Sequence, residues 1–232
     1  MTDVRDHYIS KVVEGRSFAE VGGLWGTVNE KVSIAHRYGA TELGMFDLAP
    51  PGNPWWTKFE ERQAALGLPQ VRCVSGDIMR LTEMPGHGRY EVVHCSGVLY
   101  HVPDQLRLLS ALRKLALRYV VLTSVVMPSR LENEAGSMEV ADGGAVFVPA
   151  LKGREREIVR AHWLKVVGSA GSATIAPDAP TWDVEDYAPW WWIPTVGALQ
   201  GMCAAAGFEV LESSLTWSGN ALTLLLKVPQ AA

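Results

Sequence analysis

Short apolar runs alternate with segments of helical period along this chain. Ser17 to Val21, Glu42 to Phe46, Val71 to Ser75, Tyr90 to Cys95, Tyr119 to Ser124, Phe208 to Ser213 and Leu222 to Val228 are brief, rich in Val, Leu and Phe, and bounded by turn formers. Such runs read as strands. Between them, Val28 to Tyr38, Trp56 to Leu66, Asp104 to Leu117 and Val196 to Ala206 read as helices. Strands alternating with helices predict an α/β fold whose parallel sheet is covered on both faces. The segment Asp104 to Leu117 carries the clearest period: Leu108, Leu109, Leu112 and Leu115 share one face, while Arg107, Lys114 and Arg118 point away. Pro103 stands just before it, where proline suits a helix start. The last two strands are joined by Leu215-Thr216-Trp217-Ser218-Gly219-Asn220. That leaves no room for a crossover helix, so they should pair as an antiparallel hairpin at the end of the sheet. From Met127 to Pro189 the rhythm breaks. We expect a single domain over residues 1–232 with an inserted cap over 127–189, carrying its own helix from about Arg154 to Val167.

The composition, 48% hydrophobic and 20% charged over 232 residues, suits a soluble domain with a sizeable core. The runs Tyr119 to Met127 and Ala221 to Leu226 are far shorter than the roughly 20 residues that span a bilayer. The polar stretch Met1 to Asp6 has no apolar core segment, so a cytoplasmic chain without membrane contact is the expectation. Cys73, Cys95 and Cys203 are odd in number, far apart and in apolar surroundings, which points to reduced, mostly buried thiols rather than disulfides or a zinc site. A net charge of −4 argues against a broad basic surface for nucleic acid and favours small-molecule chemistry. Arg107, Arg113, Lys114 and Arg118, and Lys152, Arg154, Arg156 and Arg160 among glutamates, read as solvated helix faces.

The candidate chemistry begins at Phe18 to Glu30, where a strand runs into a turn holding Gly22, Gly23 and Gly26. Thr27 and Glu30 have capping-box spacing, which predicts a helix starting there, and Gly39 would cap its far end. The next strand closes on Asp47, roughly 20 residues after the turn, in the layout of a nucleotide-cofactor crevice. The plainer alternative is a tight strand-to-helix turn that needs glycine for itself.

With these elements in view, the chain resembles the class I S-adenosylmethionine (SAM)-dependent methyltransferases over most of residues 15 to 228. The resemblance implies a Rossmann-like seven-stranded sheet whose last strand is antiparallel, with a cap inserted after the fifth. Glu20, Gly22 and Gly26 match the family's first motif, while Leu24 replaces its middle glycine and Gly23 sits one position early. Asp47 matches the acid that binds both ribose hydroxyls. Gly76-Asp77-Ile78 matches the motif whose acid meets the adenine amine and whose apolar neighbour packs on the ring. Tyr90 to Pro103 resembles the fourth motif, placing Cys95, Ser96 and Tyr100 beside the methionine part of SAM. Trp190-Trp191-Trp192-Ile193-Pro194-Thr195 and Ala206-Gly207-Phe208 resemble the late region of sugar-tailoring and tRNA wobble-uridine modifying members. The physics of the residues is compatible, since a carboxylate at a strand end can accept two hydrogen bonds from a vicinal diol. Glu20 would orient the loop or the methionine amine.

For methyl transfer to a hydroxyl, His101 is the candidate general base, because imidazole titrates near neutral pH and it follows the fourth strand. A structural contact near Pro103 is its alternative; His162 is the second candidate, and His94 reads as a core histidine. Glu132, Glu134, Glu139 and Asp142 could hold magnesium or form a solvated acidic loop. Trp182, Tyr187, Trp190, Trp191 and Trp192 offer flat faces for a sugar or anchor the cap, with at least one core residue among Trp190 to Trp192. The leading expectation is a small-molecule O-methyltransferase acting on a carbohydrate, with dimerisation through the cap's apolar surface. tRNA modification, a non-catalytic partner subunit and a nicotinamide oxidoreductase stand as alternatives.

Overall fold

The computed structural model describes residues 3–168, 175, 182–185 and 187–230. The seven strands read from the sequence form one sheet: β1 (Ser17–Val21), β2 (Glu42–Asp47), β3 (Val71–Ser75), β4 (Tyr90–Ser96), β5 (Ala116–Val125) and a C-terminal pair. That pair comprises Glu209–Thr216 and Ala221–Lys227, which become β10 and β11 after four short cap strands. The sheet order is β3-β2-β1-β4-β5-β11-β10, and β11 runs antiparallel to both β5 and β10. The order follows from burial. Strands β1, β4 and β11 are almost continuously buried and lie inside the sheet, whereas β10 alternates exposed with half-buried positions and takes an edge.

One sheet face packs against α4 (Ile78–Leu81), α5 (Gln105–Leu115) and α7 (Val196–Ala205), with Leu108, Leu109, Leu112 and Leu115 fully buried as their period requires. Asp104 caps α5 by accepting from the Arg107 amide at 2.9 Å. The other face is covered by α1 (Val4–Val12), α2 (Val32–Arg37) and α3 (Pro54–Ala65), around Phe18, Met45 and Phe59. The cap adds the hairpin β6 (Arg130–Asn133) and β7 (Gly136–Glu139), β8 (Ala145–Phe147) paired with β9 (Trp192–Pro194), and α6 (Gly153–Val167). Its core centres on Trp163 and joins the main domain through Tyr100, Val125 and Met127.

Two expectations change. The helix after the glycine turn starts at Val32, not Val28; Thr27–Asn29 form only a single 3₁₀ turn. No capping box forms, because Thr27 Oγ1 donates to the Leu24 carbonyl and Glu30 instead accepts from the Ser33 amide at 2.8 Å. The three thiols are free and mostly buried, as expected: Cys95 and Cys203 lie in the core, and Cys73 is exposed on edge strand β3. Gly39 does end the helix, with φ +89°. Among the described residues, no helix is long and apolar enough to cross a membrane.

Candidate functional site

The carboxyl ends of β1, β2, β3 and β4 lie side by side and gather most of the sequence candidates. Gly22 leaves β1 with φ +77°, and its amide donates to the Phe46 carbonyl at 2.8 Å. A Cβ at Gly22 would lie 2.3 Å from Val98, so glycine here lets the turn after β4 nest against the turn after β1. A Cβ at Gly23 would strike the Glu20 side chain, whereas Gly26 has open space. Glu20 is buried; it accepts from the Lys31 amide at 2.7 Å and from His94 Nδ1–H at 3.2 Å. It therefore ties the far end of the loop to β1 and β4. Lys31 Nζ in turn reaches Asp3 at 2.9 Å and Asp6 at 2.6 Å, fastening the loop to α1.

Asp47 ends β2 and accepts from the Leu24 amide at 3.1 Å and the Ala49 amide at 2.9 Å. Burial raises its pKa above the ordinary carboxylate value, partly offset by these two bonds. Asp77 follows β3, caps α4 through the Met79 amide at 2.8 Å, and accepts from the Tyr187 hydroxyl at 3.3 Å. Ile78 beside it is buried. The two acids thus stand at the ends of adjacent parallel strands, joined by the Gly76 amide donating to the Asp47 carbonyl at 2.8 Å.

The fourth-strand candidates divide. Cys95 points into the core, and burial pushes its thiol up to about 12, so its side chain does not line the crevice. Ser96 Oγ accepts from Arg5 Nη1 at 3.3 Å. Tyr100 is buried against the cap, with its phenol pushed up to about 12 by burial and its carbonyl accepting from the Trp191 amide at 2.8 Å. His101 donates from Nδ1 to the Pro189 carbonyl at 3.2 Å, and burial lowers its pKa. The lone pair then sits on Nε2, the tautomer a base requires.

Trp190 packs edge-on between Tyr100 and Trp163, at 4.9 and 4.8 Å, and Trp191 is buried beside Phe147 and Trp182. These two anchor the cap and sit in its core rather than on an open wall. Trp192 Nε1 donates to the Pro103 carbonyl at 3.0 Å. Of the aromatic candidates, Tyr187 bonds to one of the two strand-end acids, Asp77. Glu132 pairs with Arg130 at 3.2 Å, Glu139 with the same arginine at 3.3 Å, and Glu134 is exposed on the intervening turn. Among the described residues no three His, Cys, Asp or Glu side chains converge on a metal position, because the hairpin directs its acids outward to an arginine. His162 Nε2 donates to Asn220 at 2.6 Å, and His94 is a core histidine.

Sequence reasoning missed a cavity of about 440 Å³ between the start of α1, the ends of β4 and β5, and the β10–β11 turn. Arg5, Ser96, Thr123, Ser124, Thr223 and Trp217 are on its wall. These residues come from four separated parts of the chain, and no local pattern marks them. A second hollow, about 560 Å³, runs along the outer side of α2 and holds none of the cofactor candidates.

No protein-family description matches the chain, and no curated protein matches it in sequence. Solved structures do match. A methyltransferase from Bacillus halodurans is similar with a TM-score of 0.62 at 14% identity, over 98% of each chain. Magnesium protoporphyrin IX methyltransferase from Synechocystis, with bound S-adenosylhomocysteine (SAH), matches with a TM-score of 0.58 at 15% identity, over 97% of this chain and 81% of that one. The N-terminal domain of EvdMO1, in the presence of SAH and D-fucose, matches with a TM-score of 0.54 at 16% identity, over 97% and 80%. The fold is that of the class I methyltransferases.

Proposed function

We propose that this chain is a SAM-dependent methyltransferase that places a methyl group on a hydroxyl of a small molecule, with a sugar or sugar-containing molecule as acceptor. The observation that carries this reading is the pair of acids, Asp47 and Asp77, at the carboxyl ends of neighbouring parallel strands in this fold. That is where open α/β sheets take nucleotide-like ligands. Each carboxylate oxygen has a second lone pair, so Asp47 can accept from ribose hydroxyls while it still holds the Leu24 and Ala49 amides. Asp77 with Ile78 would hold the adenine, and Ser96 and Gly97 would flank the methionine end.

SAM supplies an electrophilic methyl on a sulfonium. The protein's part is alignment, exclusion of water and removal of the acceptor's proton. We assign the proton removal to His101, since burial keeps it neutral, Pro189 fixes its tautomer, and its ring leans on Tyr100 at 4.4 Å. The sugar reading draws on the D-fucose present with one similar structure and on the hydroxyl-rich cavity beside Ser96.

Calorimetric titration with SAM and SAH tests the reading. Micromolar binding supports it, followed by methyl transfer to members of a sugar panel. No binding to either would mean that Asp47 and Asp77 serve only as turn and helix caps.

A further inference from the structure

We infer that the cavity between α1 and the β10–β11 turn is the acceptor subsite, that it takes an uncharged polyhydroxylated ring, and that Trp217 is the platform on which the ring lies. This deepens the methyltransferase reading and rests on it for the word acceptor; the binding chemistry follows from the cavity itself.

Three observations converge. First, Ser124 on the cavity wall is 1% exposed, and its hydroxyl has no hydrogen-bond partner among the described residues. A buried hydroxyl without a partner costs roughly 1–3 kcal/mol, so a ligand hydroxyl there would recover a bond the protein does not make for itself. Around it, Thr123 and Thr223 share one hydrogen bond at 2.9 Å, and Ser96 Oγ accepts from Arg5, leaving further acceptor capacity at each oxygen.

Second, Arg5, the one cationic side chain among the described wall residues, is already neutralised. It donates from Nε and Nη2 to Asp3, with the closest approach at 2.6 Å. Burial alone would raise Asp3, but its bonds to Arg5 and Lys31 hold the carboxyl well below the usual range. The cavity therefore offers directional N–H donors with a carboxylate beside them. A carboxylate or phosphate on the ligand would meet Asp3, whereas neutral hydroxyls meet donors and acceptors alike.

Third, Trp217 is held in place at a conformational cost. It sits at φ +50° and Ser218 at φ +55°, the left-handed region that residues other than glycine rarely adopt. Asn220 Nδ2 donates to the Trp217 carbonyl at 3.1 Å and to the Ser218 carbonyl at 3.4 Å, while Asn220 Oδ1 accepts from His162 on α6. Trp217 as a residue remains 53% exposed and lines the cavity. An exposed indole on the same cavity wall as hydroxyls and a guanidinium matches the apolar face and polar edge of a sugar ring. His162, the second candidate base, is thereby a positioning residue for the turn.

The test has two separate arms on the full chain. SAH affinity is measured by calorimetry on the wild type and on Trp217→Ala, Trp217→Phe and Ser124→Ala. Binding of D-fucose, D-glucose and myo-inositol is read by saturation-transfer NMR, with benzoate as an anionic ring of similar size. The expected result is saturation transfer to at least one polyhydroxylated ring and none to benzoate. Trp217→Ala should abolish the transfer, Trp217→Phe keep part of it and Ser124→Ala weaken it several-fold, with SAH affinity unchanged in all three, no loss of melting temperature in the Trp217 variants and an equal or higher one in Ser124→Ala, which sheds the unpartnered hydroxyl. Equal transfer in Trp217→Ala, preference for benzoate, or no transfer to any of the three rings would overturn the proposal. Loss of SAH binding in the wild type would instead strike the methyltransferase reading, and the NMR arm would still decide what the cavity takes.

Discussion

The Leu24 amide donates to Asp47 Oδ2 across 3.1 Å, so the carboxylate that closes β2 also pins the turn that leaves β1. Substituting it should therefore act on two properties. Asp47→Asn retains the volume but removes the charge, and SAH affinity should fall about tenfold or more, given roughly 1.5–3 kcal/mol for a hydrogen bond to a charged group. Asp47→Ala should also lower the melting temperature by freeing the Leu24 and Ala49 amides. Calorimetry paired with thermal melts separates the two effects, and unchanged SAH affinity in both variants would remove Asp47 from the ligand site.

The turns after β1 and β4 interlock at Gly22 and Val98. Gly22→Ala should destabilise the fold by about 1–3 kcal/mol, because the new methyl overlaps Val98 and the residue keeps φ +77°. Adding Val98→Ala should recover the overlap but not the backbone strain. A double-mutant cycle by denaturant unfolding reads the coupling, and strictly additive effects would mean the turns do not press on each other.

Turnover should depend on His101. Replacing it with Ala should reduce kcat about 10²–10⁴-fold while SAH affinity stays constant. Because burial lowers its pKa, the acid limb of the rate profile should lie below the ordinary histidine value near 6.5. A variant that keeps wild-type kcat would restrict His101 to tying the 3₁₀ turn to Pro189.

Stability should also respond to acid. His101 and His162 both titrate lower in the folded chain than in the unfolded one. Between those values the unfolded state binds more protons, so the full contribution is present above about pH 6.5 and is lost as pH falls through the folded values. Urea unfolding at a series of pH values should show this decline, and His162→Gln should flatten it. A slope unaffected by the substitution would rule out His162 as a contributor.

The sheet was legible from sequence because each strand is a short apolar run with clear punctuation, and the Leu108 to Leu115 period leaves one face for α5. The strand-end positions of Asp47 and Asp77 were legible because local spacing sets them. Helix α1 was missed: its nine residues bury only Tyr8, Ile9 and Val12, a weak stripe that gains meaning through packing on the sheet. The capping box failed because Thr27 and Glu30 each found a nearer partner. Trp190 and Trp191 read equally as ligand platform or core, and contact of Trp190 with Trp163, about 30 positions earlier, decided for core. The wall of the cavity was invisible for the same reason, since Arg5 meets Ser96 and shares a cavity wall with Trp217 only after the sheet forms.

The β10–β11 hairpin has a further meaning for how such a chain diversifies. Its strand β11 is registered along β5 and β10 along β11, whereas its tip, Trp217–Gly219, contributes no buried side chain. If the cavity takes the acceptor as proposed, exchanges at the tip would alter which molecules are accepted while leaving the buried core untouched. Descendants of this sequence could drift in selectivity there while the acids at β2 and β3 stay unaltered, so the tip is the first place to randomise in a laboratory selection for new acceptors.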